Sequence, residues 1–199
     1  WPNEVTREGI REQEYLLWSS LPLAHYGALP FTRMAAGHAD FLPGYVQPRF
    51  LKNTTAIFQM AATVVFSSPF LCWPDNPEAY AASPLLSFVR SVPVTWDETR
   101  VLPESEIGRF VAMARRKGND WYVAALNCLP DTRTLRLDLS GLGLSDKPVT
   151  TYADGAEKAG VEIRAGLKAL AGGVYEIKLQ PGGGWILNAA PRNDFAGWR

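Results

Sequence analysis

Ile107-Gly108-Arg109-Phe110-Val111-Ala112-Met113-Ala114-Arg115, then Lys117-Gly118-Asn119-Asp120, then Trp121-Tyr122-Val123-Ala124-Ala125-Leu126 is the stretch on which the fold turns. Two runs rich in apolar and β-favouring residues flank a polar, glycine-containing quartet. That pattern reads as two antiparallel strands joined by a hairpin connection. Downstream, strands are predicted at residues 132–139, 149–152, 161–163, 173–179 and 184–188, with a turn at Asp154-Gly155. Short strands separated by turn signals predict an antiparallel β-sandwich over residues 95–199.

Upstream the texture changes. Ile57, Met60, Ala61 and Val64 fall on one face of a helix predicted over residues 53–65. Pro69-Phe70-Leu71-Cys72-Trp73 is a short apolar run between Ser67-Ser68 and Pro74-Asp75, which reads as a fully buried parallel strand. A second helix is predicted over residues 77–91, and a short buried strand near residues 28–34. Strand, helix, strand, helix is the rhythm of β/α units, so the expected fold class is α/β for residues 1–94 plus all-β beyond them.

The bulk numbers exclude some partners. Twenty basic and twenty acidic residues cancel, and no basic block stands out. Nothing electrostatic therefore recruits nucleic acid or an anionic membrane. The apolar stretches are interrupted well before the roughly 18 residues that a spanning helix needs. Hydrophobic residues make up 47% and charged residues 20% of the 199 positions, so a sizeable core is expected. Seven tryptophans, nine phenylalanines and seven tyrosines supply rings that fill cores or form stacking platforms for sugars.

Cys72 and Cys128 lack the close spacing of a metal or redox motif. A buried free thiol is the simplest reading of each, and a disulfide in an oxidising compartment stays open. The chain opens Trp1-Pro2-Asn3-Glu4, with no initiator methionine or leader pattern, as expected of a fragment or a processed product.

The residues with chemical promise cluster near the start. Glu4, Glu8, Glu12 and Glu14 are interleaved with Arg7 and Arg11. They suit a solvated helix face laced with i,i+4 pairs. They equally suit a cleft, where a carboxylic acid protonates a leaving oxygen and carboxylates hold a hard cation such as calcium. Gly9 favours the cleft, because glycine interrupts a simple surface helix and allows close backbone approach. His25 sits in an apolar context and reads first as a satisfied loop or core histidine. Arg33 and Asp40 read as an ion pair supporting a loop, or with Asp40 lining a cleft at a strand end.

Several motifs, in order, resemble glycoside hydrolase family 97. They are Pro2-Asn3 with Thr6-Arg7-Glu8-Gly9-Ile10-Arg11-Glu12-Gln13-Glu14, His25 with Leu29-Pro30-Phe31-Thr32-Arg33-Met34, and Gly37 to Asp40 with Pro43-Gly44. Ser68-Pro69, Asp75-Asn76-Pro77-Glu78-Ala79-Tyr80, Trp96-Asp97-Glu98-Thr99-Arg100-Val101-Leu102 and Ala114-Arg115-Arg116-Lys117-Gly118 follow. The resemblance implies a calcium-dependent, exo-acting hydrolase of terminal α-linked glucose or galactose, periplasmic or secreted. Residues 1–94 would be the C-terminal part of its catalytic (β/α)8 barrel, and residues 95–199 a C-terminal sandwich. Glu14 matches the family's general acid and Glu8 a calcium ligand, while His25 and Asp40 match site-lining positions that contact the sugar. The base or nucleophile, further calcium ligands and an N-terminal sandwich would lie upstream of Trp1. The partners implied are an oligosaccharide with a terminal α-linked sugar and either the upstream barrel or an oligomeric partner. On its own the chain is expected to be inactive. The alternative is a non-catalytic carbohydrate-binding or structural module, with Trp96, Trp121 or Trp185 as an exposed platform.

Overall fold

The computed structural model describes residues 5–11, 13–144 and 147–189. The chain begins with a 3-10 helix (Gln13–Leu17) and α1 (Leu23–Ala28), followed by 3-10 turns at Leu29–Phe31 and Arg33–Ala36. Then come α2 (Pro48–Leu51), α3 (Ala56–Val65), α4 (Pro77–Ala82) and α5 (Leu86–Ser91). Among the described residues eight strands follow: β1 (Glu98–Val101), β2 (Phe110–Lys117), β3 (Asp120–Asn127), β4 (Arg133–Asp138), β5 (Pro148–Asp154), β6 (Val161–Lys168), β7 (Val174–Leu179) and β8 (Gly184–Ala189). Six of them form a sheet in the order β1-β2-β3-β8-β5-β6, and β4 pairs with β7 in a separate ribbon. Every ladder among the described residues is antiparallel.

The centre of the large sheet is covered on both faces. Val111, Met113, Tyr122, Ala124, Leu126 and Ile186 pack into the helical layer. The alternate residues Ala112, Ala114, Trp121, Val123, Ala125 and Leu187 meet Leu137, Tyr175, Ile177 and Leu179 of the ribbon. This explains why β2, β3 and β8 read as nearly continuous apolar runs: strands with two buried faces lose the polar half of the alternation. The order is helices, six-stranded sheet, two-stranded ribbon.

α3 is the hub of the helical layer, and all ten of its residues are buried, as expected of a helix that is apolar on most sides. Thr55 caps it by accepting the Phe58 N–H (3.0 Å). Its two buried polar side chains are satisfied. Gln59 Nε2 donates to Thr54 Oγ1 (2.9 Å), and Thr63 Oγ1 donates to the Met60 carbonyl (2.7 Å).

The helix predicted over residues 53–65 is α3, and the one over residues 77–91 is split into α4 and α5. Pro84 is the cause: it holds Ser83 extended (ψ 139°) and ends α4. The barrel expectation needs correction. The described residues before Glu98 contain no strand, so the β/α units expected in 1–94 are absent and the barrel is not in this chain. The segment near residues 28–34 is coiled into 3-10 turns, with Pro30 in the first turn of one of them. The run 69–73 is a connector, and Phe70 is 61% exposed. A parallel strand exists only through ladder partners, and neither segment has one here. The connector instead delivers the buried Asp75 to the start of α2. There its carboxylate accepts the N–H groups of Val46 (2.6 Å) and Gln47 (3.0 Å) and the Gln47 side-chain amide (2.8 Å).

Candidate functional site

The segment 5–11 runs as irregular chain over the helical layer. Gly9 takes φ +100°, a conformation that L side chains rarely adopt. Glu8 is exposed, and so is Glu14, on the 3-10 helix Gln13–Leu17. An open cleft of about 570 Å³ takes in Thr6, Glu8, Gly9, Arg33, Gly37 and His38. Of the four residues expected at a site, its described lining includes Glu8 alone. Glu4 and Glu12 lie outside the described residues.

His25 and Asp40 meet the same segment through its main chain. His25 Nε2 lies 2.7 Å from the Arg11 carbonyl, and a carbonyl only accepts, so that nitrogen carries the proton. The Asp40 N–H donates to the Arg7 carbonyl (3.0 Å). Arg33 is aimed at backbone, and no salt bridge joins it to Asp40 among the described residues. Its Nη2 donates to the carbonyls of Arg7 (3.0 Å), Glu8 (3.0 Å) and His38 (3.3 Å), and its Nη1 to that of Gly37 (3.3 Å). The loop bearing Asp40 is itself anchored at the end of α3. Ala39 N–H donates to the Ser67 carbonyl (3.1 Å), and His38 Nδ1 shares a hydrogen bond with Ser67 Oγ (2.6 Å). Residue type alone carries no signal for these contacts, because every acceptor of Arg33 is main chain.

The residues described do not by themselves fit a calcium ion, which takes six to eight oxygens. No group of three or more His, Cys, Asp or Glu able to hold a metal occurs among them. The stacking platform also needs correction: Trp121 and Trp185 are 5% and 6% exposed. Trp96 packs edge-on against Tyr122 with ring centres 5.4 Å apart. Trp121 and Trp185 are core, because the ribbon closes over their face of the sheet, and Trp96 is half-buried at the edge of the helical cluster.

A second cleft, of about 550 Å³, opens between the β5–β6 edge and β7, with Asp154, Glu162, Arg164, Glu176 and Lys178 in its lining. Asp154 is already engaged: Oδ1 accepts from Thr55 Oγ1 (2.5 Å) and Oδ2 from Gly184 N–H (3.1 Å). Burial outweighs these bonds and pushes its carboxyl up to about 6. Both cysteines are free, and burial pushes the Cys128 thiol up to about 12, which makes it a poor nucleophile.

Comparison with known proteins gives these features a family. The C-terminal domain of glycosyl hydrolase 97, described as an oligomerisation domain, matches residues 95–189. A retaining alpha-galactosidase of Bacteroides thetaiotaomicron is 31% identical over 207 residues, spanning 94% of this chain. The chain belongs to glycoside hydrolase family 97. It spans 31% of the length of that relative. A probable retaining alpha-galactosidase of Streptomyces bingchenggensis is 30% identical over 125 residues, 62% of this chain and 19% of its own. A family 97 enzyme of Pseudoalteromonas sp. strain K8, solved in complex with acarbose, superposes with a TM-score of 0.82 at 31% identity, covering 94% of this chain and 32% of that one. A beta-arabinopyranosidase superposes with a TM-score of 0.82 at 28% identity, over 94% of this chain and 31% of its own. The mostly antiparallel β architecture of residues 98–189 matches that of a family 97 C-terminal domain.

Proposed function

We propose that this family 97 chain supplies part of the active site of an exo-acting glycosidase that removes terminal α-linked galactose or glucose with retention of configuration. The observation that carries this reading is the similarity to a retaining alpha-galactosidase across 94% of the chain. In the reaction Glu14 is the general acid: its carboxyl proton passes to the glycosidic oxygen as the bond to the anomeric carbon breaks. A retaining mechanism needs a second carboxylate about 5 Å from the acid, and that group belongs to the part of the enzyme outside this chain. Glu8 offers one carboxylate to a calcium ion completed by ligands from the same outside part. His25 and Asp40 border the sugar site. Residues 95–189 mediate assembly of the enzyme, whose place is the periplasm or the exterior.

The test is hydrolysis of α-galactosides and α-glucosides by the full enzyme containing this chain. Turnover with retained anomeric configuration is expected, and Glu14→Gln should lower kcat on unactivated substrates by about 10²–10⁴-fold, the usual contribution of a general acid. These 199 residues alone should show negligible turnover. An unaffected Glu14→Gln enzyme would remove Glu14 from the acid role.

A further inference from the structure

We propose that Arg33 and His25 are positioning residues that clamp the main chain of the Glu8–Glu14 segment and so set where the acid and its companion carboxylate stand. The proposal rests on the glycosidase reading for its catalytic consequence and on hydrogen-bond geometry for the clamp itself.

Arg33 makes the first point of the clamp. A guanidinium is a rigid planar fork with five N–H donors and no acceptor. Here the fork reaches four carbonyls in two loops, those of Arg7 and Glu8 on one side and those of Gly37 and His38 on the other. The Asp40 N–H reaches across to the same Arg7 carbonyl. A Cβ added to Gly9 would lie 3.7 Å from Arg33 Nε, so the segment passes directly over the guanidinium. Through Ala39 and His38 the second loop is tied to Ser67, just beyond the buried helix α3. The clamp therefore has a rigid footing.

His25 makes the second point. Its ring, carried on α1, donates from Nε2 to the Arg11 carbonyl at 2.7 Å. The Arg7–Arg11 stretch is thus held at both ends. Glu8 follows the first grip at once, and Glu14 lies three residues beyond the second. Main-chain hydrogen bonds determine where each Cα sits, and a displacement of about 1 Å at a reacting group can cost on the order of 10²-fold in rate. Lysine keeps the charge of Arg33 but offers a single point of attachment, which cannot span two loops.

Two measurements test the clamp. The first is amide hydrogen exchange in this chain. Arg33→Lys should speed exchange several-fold at the Asp40 amide, whose N–H donates to the clamped Arg7 carbonyl, and leave β2 and β3 unchanged. The second is leaving-group dependence in the full enzyme. Arg33→Lys should lower kcat at least about 10-fold on a disaccharide, change KM less than about threefold, and lose far less on an aryl glycoside whose departure needs no proton. A misplaced acid gives that split, whereas general loss of structure slows both substrates alike. His25→Gln, whose amide N–H can replace Nε2–H, should lose less than His25→Ala. If Arg33→Lys leaves the exchange rate of the Asp40 amide unchanged, the clamp is wrong. Faster exchange with unaltered leaving-group dependence would overturn its positioning role and leave the glycosidase reading standing. A full enzyme without α-glycosidase activity would overturn that reading and the catalytic consequence drawn from it, while the exchange rates would still decide whether the clamp exists.

Discussion

Asp154 joins the helical layer to the sheet through two atoms. Oδ1 receives the Thr55 hydroxyl, whose oxygen also caps α3, and Oδ2 receives the Gly184 N–H at the start of β8. Burial is the largest influence on its titration, raising the carboxyl from its ordinary 3.8 to about 6. A value higher in the folded than in the unfolded chain means that folding favours the protonated form. Its stabilising contribution is complete below about pH 4 and is lost as pH rises through about 6. From the size of the shift, about 1–3 kcal/mol is involved. The melting temperature of the wild type should therefore fall by several degrees relative to Asp154→Asn between pH 4 and pH 6.5. Thermal melts of both proteins across that range check this, and a constant difference between them would contradict it. Arg115 is a second buried ionisable group in the layer contact. Its guanidinium donates to the Val65 carbonyl at the end of α3 (2.9 Å), and desolvation pulls its pKa down to about 10, which still leaves it charged at neutral pH.

Among the elements, α3 crosses close over the start of β8. A Cβ at Gly184 would stand 2.7 Å from both the Ile57 carbonyl oxygen and the Phe58 nitrogen. Both are backbone atoms of a helix buried on all sides, so neither can give way cheaply. Gly184→Ala is expected to cost about 2–4 kcal/mol, read as a lower urea midpoint with an unchanged slope. Elements with a strong local period are legible in the order of residues alone. The β2–β3 hairpin pairs Lys117 with Asp120, where the sequence predicts its turn, and α3 lies inside residues 53–65. β1 is not legible in that way: three of its four residues are exposed, and it is a strand only because it pairs with β2 along the sheet edge. Residues 69–73 fail in the opposite direction. A short apolar run suits a buried strand, a helix segment or a connector equally well, and only a ladder partner separates them.

Across the whole molecule, the six-stranded sheet is shared property. One apolar cluster runs from Leu16 and Tyr26 through α3 into Met113, Tyr122 and Ile186, while the second fills the space beneath the ribbon. Helices and ribbon bury the same strands from opposite faces, so neither layer can open without exposing the sheet. The chain is expected to unfold in urea as one unit, with coincident transitions by tryptophan fluorescence and far-UV circular dichroism. A helical phase melting ahead of the strands would show that the layers are independent.

By itself the sequence determined the antiparallel strand succession after residue 107, the main helices and the family to which the chain belongs. These depend on periodicity, turn chemistry and ordered motifs, all of which are written in neighbouring residues. Tertiary structure alone decided that Trp121 and Trp185 are core rather than platform, because burial depends on which layers close over a sheet. It alone brought the Arg33 and His25 side chains onto the carbonyls of Arg7, Glu8 and Arg11. Their acceptors are main-chain carbonyls, which every residue possesses and which therefore leave no trace in the order of side chains.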